Sequence, residues 1–285
     1  MLVPTPRVVL VAVASLAALS LTACGSSGSP SGSNSSPAAA AGAALKVGID
    51  LTYPPYDTRE GDTPSGLDPE VVDAIGKKVG MTPTYLDTRF PQLITGLSAG
   101  KYDMIASTLY VSPDRAKQVD YVPYFDTGNA ILSAPGKTQF TKPSELCGKA
   151  VGVLAGTVVY KTLTTTESEK CKTAGQPAIS VKDFQTDPEA TQALISGQVD
   201  AQLTDAAVAA QAAKKSGGKV IVSSTELIYP VSVGFAVKKG NATLKDKIQK
   251  AVDDLTSSGE LTTVLAKYGV KPVDAAVLKA SLEGH

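Results

Sequence analysis

The 285-residue chain has no tryptophan, one histidine and three cysteines, and only 5% of it is aromatic. The lone histidine is His285, the last residue, so there is no basis for a His-centred catalytic dyad or triad, nor for a His-rich metal site. Charge of one sign is also missing: 27 Lys and Arg stand against 27 Asp and Glu. A chain so balanced, with a pI near 6.6, lacks the basic footprint of a nucleic-acid-binding surface, and no nucleic-acid partner is expected. The apolar run from Val8 to Leu21, behind Arg7, falls short of the ~20 residues that a membrane span needs. What remains is 43% hydrophobic residues in a length that suits one large domain or two small ones.

The apolar run ends in Leu21-Thr22-Ala23-Cys24, which resembles a lipobox. Residues 1–23 then read as a lipoprotein signal peptide and Cys24 as the residue to be lipidated; an ordinary signal peptide with an incidental Cys is the alternative. From Gly25 to Ala44 the chain carries no charge, no aromatic and no periodicity. Residues 24–44 are therefore expected to form a flexible tether with a reach of about 25 Å. Removal of the leader takes away Arg7 and no acid, leaving 26 basic against 27 acidic residues. The expected location is the extracytoplasmic face of the cell membrane, through a lipid anchor. In an oxidising compartment, Cys147 and Cys171 read as a disulfide, with two buried free thiols as the alternative.

From Leu45 onward, strand-like and helix-like segments alternate, an α/β pattern. Leu45 to Asp50 reads as a strand that runs into the Pro-rich turn Thr52-Tyr-Pro-Pro-Tyr56. Asp68-Pro69-Glu70 reads as an N-cap, a first-turn proline and an early acid, opening a helix to about Val79. Thr82 to Asp87 is a second strand. An internal repeat follows: Pro91 to Thr108 matches Pro188 to Asp205 at a constant offset of 97 residues. Each copy begins a helix at Pro, stops it at Gly100 or Gly197, and ends a short strand in two polar residues, Ser107-Thr108 or Thr204-Asp205. A looser echo joins Lys46-Val-Gly-Ile-Asp50 to Ala150-Val-Gly-Val-Leu154. Two similar α/β lobes are the simplest reading. Ligands of parallel sheets bind beyond the carboxyl ends of strands, so facing lobes would bring Asp50, Ser107, Thr108, Leu154, Thr204 and Asp205 to one cleft.

Four motifs carry a family resemblance. Val47 to Tyr56, Gly66-Leu-Asp68, Ser107 to Arg115 and Val151 to Thr157 resemble the family 3 solute-binding proteins of ABC transporters, the receptors for polar and basic amino acids. The likeness runs from Leu45 to about Gly269. It implies a periplasmic-binding-protein type II fold: two α/β lobes joined by a two-strand hinge, with the ligand in the interlobe cleft. It further implies a discontinuous first lobe, 45–127 plus 232–285, around a second lobe, 128–231, and a monomer that serves an ABC permease. The helix from Thr243 to about Ser257 would pack back on the first lobe.

An α-amino acid presents a carboxylate and an ammonium, and the guanidinium of Arg suits the carboxylate because it offers two parallel donors. Beyond the leader, the arginines are Arg59, Arg89 and Arg115. Arg115 follows Ser112-Pro113-Asp114, a helix start that favours anions; a surface pairing with Asp114 or Asp120 is its alternative. By resemblance, Arg115 takes the ligand carboxylate and Asp205 the α-ammonium, although Asp205 also suits the N-cap of the helix from Ala206. Asp50 matches an acid that reaches the side chain of basic ligands, and Tyr53 and Phe90 match rings that sandwich the ligand's stem. Ser107, Thr108, Thr157 and Val158 would supply hydroxyl and backbone groups. Tyr110 is a departure, since many relatives have Thr or Ser there: it either turns outward or reshapes the pocket. The expected ligand is a polar, cationic amino acid; no cofactor, metal or catalytic residue is expected. Ligand sensing for a membrane receptor is the alternative, and a dehydratase-like enzyme on the same fold is a third reading.

Overall fold

The computed structural model describes residues 43–284. The proposed leader, Cys24 and all but the last two residues of the proposed tether lie outside them. Those two, Ala43 and Ala44, already belong to the first strand, β1 (Ala43–Ile49). Its apolar residues Leu45, Val47 and Ile49 are fully buried, as expected of a strand inside a parallel sheet. The chain continues through β2 (Thr58–Glu60), β3 (Thr63–Ser65), α1 (Leu67–Val79), β4 (Met81–Asp87), α2 (Leu93–Ser98), β5 (Met104–Ile105), α3 (Pro113–Ala116) and the 15-residue β6 (Val119–Ser133). Then follow β7 (Ala150–Leu154), α4 (Val158–Thr162), α5 (Ser168–Thr173), β8 (Ser180–Phe184), α6 (Asp187–Ser196), β9 (Ala201–Asp205), α7 (Ala206–Lys215), β10 (Ile221–Val222) and β11 (Ile228–Lys238). Three helices close the chain: α8 (Ala242–Ser257), α9 (Glu260–Lys267) and α10 (Ala275–Glu283).

The main sheet runs β4-β1-β5-β11-β6-β9-β7-β8. Two parallel groups, β4-β1-β5 and β8-β7-β9, flank the antiparallel pair β6 and β11. Within each group the order is second, first, third, so the repeat in the sequence is a repeat of topology. The register repeats too. Val47 faces Met104 in the first group, and Val151 faces Ala201 in the second. The glycine common to both first strands has a common cause. A Cβ on Gly48 would lie 2.5 Å from the Tyr102 ring, and one on Gly152 would lie 3.3 Å from Val199. Tyr102 and Val199 are themselves repeat partners, so each lobe packs one side chain over its first strand.

Strand β6 changes partner along its length. Val119–Asn129 pairs with β11, and Asn129–Ser133 pairs with β9, so that Asn129 is registered with both. β11 is bulged between Ile228 and Val231, where Tyr229 has φ 50°. Helix α8 packs on α1 and buries Ile248, Ala251, Val252 and Leu255. A disulfide joins Cys147 to Cys171, with 5.5 Å between the Cα atoms.

The start of α1 differs from the sequence reading. Its N-cap is Gly66, with φ 117°, and a Cβ there would meet the Tyr56 carbonyl oxygen at 2.2 Å. Asp68 is inside the helix and fully buried, where it accepts from the Thr108 amide at 2.6 Å and from the Tyr124 hydroxyl. A tertiary demand has overridden the local capping signal. The first repeat helix also starts later than its proline: Phe90–Gln92 is a 3-10 turn, and α2 begins at Leu93.

Candidate functional site

The carboxyl ends of β1, β5, β7 and β9 converge on a small cavity. Tyr53, Phe90, Thr108 and Tyr110 line it from the first parallel group, and Leu154, Thr157, Val158 and Thr204 from the second. Its volume is about 20 Å³, roughly the room one water needs, because side chains from the two groups meet across it.

Arg115 lines this cavity and is buried. Ser112 starts its short helix by accepting from the Arg115 amide, and Pro113 fixes the first turn. The guanidinium donates from Nη1 to the Tyr110 carbonyl oxygen and from Nη2 to that of Gly156, both at 3.0 Å. Its Cζ lies 5.4 Å from the centre of the Phe90 ring, within cation–π range. Arg115 makes no ion pair among the described residues, and burial lowers the pKa of its guanidinium. A buried cation without a carboxylate is costly unless a partner reaches it. Arg115 therefore marks the place for an anionic group.

Asp205 has the opposite character. It ends β9, is fully buried, and caps α7 by accepting from the Ala207 amide at 2.9 Å. Oδ1 also accepts from the Tyr56 hydroxyl at 2.9 Å, while Oδ2 accepts from the Tyr110 hydroxyl at 2.9 Å and from Thr127 at 2.7 Å. Burial raises its pKa, and the surrounding hydroxyls oppose that rise. Tyr53 reaches the same region: its hydroxyl lies 3.3 Å from Thr204 Oγ1 and accepts from the Asp205 amide. Tyr110 thus turns inward, toward the second group, and its hydroxyl also lies 3.2 Å from Asn129 Oδ1. Below this layer, Asp187 accepts from Thr204 and Gln202, and its carboxyl is pushed up to about 6 by burial.

Asp50 does not line the cavity. Its carboxylate pairs with Arg89 at 2.8 Å and accepts from the Phe90 amide at 2.8 Å and the Thr52 hydroxyl at 2.7 Å. Ser107 also lies behind the cavity wall, where its hydroxyl accepts from the Asp50 amide at 3.0 Å and donates to Asp57 at 3.4 Å. Thr108 is on the wall with φ 45°, held there by the Asp68 carboxylate. Asp57 and Asp68 are both fully buried, and burial pushes both carboxyls up, with the Asp68 charge adding to the rise at Asp57. In the second group, Gly156 adopts φ 72°, and a Cβ there would come within 3.1 Å of Pro91. Thr157 spends its hydroxyl on the Leu154 carbonyl oxygen and on capping α4.

Of the sequence-predicted residues, Tyr53, Phe90, Thr108, Tyr110, Arg115, Thr157 and Val158 share the cavity wall, while Asp50, Ser107 and Asp205 stand behind it. Sequence reasoning gave no role to Tyr56, Arg89, Thr127 and Asn129. Tyr56 and Arg89 were within reach, the first inside the Tyr53-Pro-Pro-Tyr56 motif and the second beside Phe90. Thr127 and Asn129 carry no local signal, because they matter only through the pairing of β6 with β9. Among the described residues, no group of three or more His, Cys, Asp or Glu is gathered as for a metal ion. No helix among them is long and apolar enough to cross a membrane.

Two parallel α/β groups joined by two long strands, with a buried cationic site between them, define the periplasmic-binding-protein type II fold and a protein that binds solutes in its cleft. Residues 45–271 match the bacterial extracellular solute-binding proteins, family 3, and the chain belongs to that family. It is 28% identical over 263 residues to the arginine-binding extracellular protein ArtP of Bacillus subtilis (strain 168), covering 91% of this chain and 96% of the relative. The L-arginine-binding protein of Pseudomonas aeruginosa is 27% identical over 232 residues, 79% of this chain and 87% of its own. Among solved structures, an ancestral arginine-binding protein bound to arginine superposes with a TM-score of 0.71 at 32% identity, covering 79% of this chain and 98% of that one.

Proposed function

We propose that the chain is the extracytoplasmic receptor of an ABC importer and captures an amino-acid-type solute in the cavity at Arg115. The observation that carries this reading is the buried guanidinium of Arg115, on the cavity wall and without an acidic partner among the described residues. A carboxylate arriving there would neutralise it through two parallel hydrogen bonds. The named relatives bind arginine, which supports an amino-acid ligand. The cationic side-chain preference expected from Asp50 depends on Arg89 leaving that carboxylate. Binding is taken to be the whole of the role, with no chemical turnover, in a monomer held to the membrane through Cys24. The lobes would be 45–127 plus 232–285 and 128–231, moving about β6 and β11 near Thr127 and Val231. A hinge is needed, since a 20 Å³ cavity admits no amino acid until the groups part.

The test is a thermal-shift panel of the twenty amino acids, ornithine, citrulline, common amines and amino-acid-like carboxylates. A solute present at about 1,000 times its Kd stabilises the folded state by about 4 kcal/mol, a rise of several degrees at this size. At least one solute should give that rise, and Arg115→Ala should abolish it. A panel without a single response contradicts the reading.

A further inference from the structure

Building on the receptor reading, we infer that the solute is a primary α-amino acid whose ammonium group is received by neutral oxygens, Asn129 Oδ1 and the Tyr110 phenol oxygen with Thr108 beside them, while Asp205 acts from one layer behind. A phenol has one proton to give. The Tyr110 hydroxyl lies 2.9 Å from Asp205 Oδ2 and 3.2 Å from Asn129 Oδ1, and the nearer, ionised acceptor takes the proton. The phenol oxygen and Asn129 Oδ1 then stand 3.2 Å apart with no proton between them.

The orientation of Asn129 is settled by its other end. Nδ2 donates to the Ile228 carbonyl oxygen at 3.2 Å, an atom that only accepts, so Oδ1 is the end toward Tyr110. Both residues line the cavity and are buried, and a buried acceptor without a donor is costly. The other hydroxyl pair on the wall has no such deficit: Thr204 donates to Asp187, which leaves the Tyr53 hydroxyl to donate to Thr204. The unfilled place is therefore local to Tyr110 and Asn129. Thr108 lines the same cavity, and its hydroxyl, which donates to Asp68 at 3.3 Å, keeps its lone pairs.

A primary ammonium brings three N–H donors to these three oxygens. Charge closes as well, because the solute carboxylate matches Arg115 and the ammonium matches Asp205. The Asp205 carboxylate draws the Tyr110 proton toward itself, which makes the phenol oxygen a stronger acceptor for the next donor in the chain. Asp205 meanwhile keeps its donors Tyr56, Ala207, Tyr110 and Thr127. Asn129 is then the residue that sets this chain's ammonium site.

The experiment is calorimetric titration of the full chain with matched pairs: L-arginine, L-glutamine and L-alanine, each beside the acid that has hydrogen in place of its α-ammonium group. In at least one pair the wild type should bind the amino acid at least about tenfold more tightly, since a site built for N–H donors rejects the analogue that lacks them. Asn129→Leu, similar in volume and without either polar atom, should weaken that amino acid by about tenfold or more and its partner by less than about threefold. Asn129→Asp keeps an acceptor and loses the bond to Ile228, so it should hold the amino acid within about threefold of wild type or more tightly. A role of Asn129 in the fold alone would weaken both members together, and in both variants. Melting curves establish that the variants fold, and Asn129→Ala replaces the leucine variant should that one not fold. Unchanged amino-acid binding in Asn129→Leu, equal weakening of both members, or the same loss in Asn129→Asp as in Asn129→Leu overturns the inference and leaves the receptor reading standing. So does a wild type that binds no amino acid more tightly than its partner. Binding of no member by the wild type overturns the receptor reading itself.

Discussion

The Nη2 of Arg115 donates to the carbonyl oxygen of Gly156, 41 residues further along the chain. One residue belongs to α3, between β5 and β6, and the other to the turn after β7, so this bond ties the two parallel groups together. In the proposed receptor it would also link capture to closure. A solute carboxylate that fixes the guanidinium fixes the group that holds Gly156, and the Gly156 turn lies against Pro91. The Tyr56 and Tyr110 hydroxyls, both on Asp205, cross the same gap.

In the proposed receptor, Arg89 decides whether Asp50 can serve a ligand. In Arg89→Ala the 2.8 Å ion pair is lost and Asp50 keeps only its bonds to Thr52 and Phe90. The affinity for L-arginine should rise at least tenfold over wild type, read by titration. An unchanged or weaker affinity places Asp50 beyond the reach of the ligand's side chain.

Stability should fall as pH rises through the mildly acidic range. Asp187 is raised from 3.8 to about 6, so the folded state holds this proton more tightly than the unfolded chain. Its stabilising effect is complete below the unfolded pKa and is lost as pH rises through about 6. A shift of this size corresponds to about 3 kcal/mol. Asp50, Asp57, Asp68 and Asp205 are also raised by burial and add in the same direction. Urea midpoints should be lower at pH 8 than at pH 5, and Asp187→Asn should flatten the slope between pH 4 and 6.

Joint replacement of Cys147 and Cys171 by Ser opens a loop with a sequence separation of 24. In the chain-entropy model the loss is about 3 kcal/mol, seen as a lower urea midpoint. Neither cysteine lines the cavity, so the affinity for the solute at the same temperature should stay within about twofold, an allowance well below the tenfold that 1.4 kcal/mol represents.

Two glycines that bound α1 separate steric conflict from backbone preference. Gly66→Ala sets a Cβ 2.2 Å from a carbonyl oxygen at φ 117°, whereas Gly80→Ala meets open space at φ 68°. Overpacking and left-handed strain together should make the first cost about 3 kcal/mol, against about 1 kcal/mol for the second. Equal costs in chemical denaturation would mean that the Gly66 turn relaxes freely.

The lobes were legible in the sequence because their cause is local. Pro and Gly punctuate the two repeat helices, and the echoed Val-Gly pairs mark the two first strands; the equivalent register and the side chain over each glycine appear only in the fold. The Arg115 turn was legible for the same reason, since Ser112 and Pro113 start a helix wherever they stand. The state of the acids was not. Asp50, Asp68 and Asp205 were visible as polar residues at element ends, but the groups that engage Asp68 and Asp205 come from remote positions: Tyr124 is 56 residues from Asp68, and Tyr56 is 149 from Asp205. Tyr110 showed itself only as an unexpected side chain. Its direction follows from the pairing of β6 with β9, which brings Asp205 opposite Asn129.

The most direct measurement is calorimetric titration of wild type and Arg115→Lys with the solute that gives the largest thermal shift. Lysine keeps the charge and loses the fork of parallel donors. Hydrogen bonds to charged groups are worth about 1.5–3 kcal/mol, so affinity should fall by roughly 10- to 100-fold while the melting temperature without solute changes by only a few degrees. An affinity equal to wild type would contradict the account, because the buried guanidinium would then not be what holds the ligand.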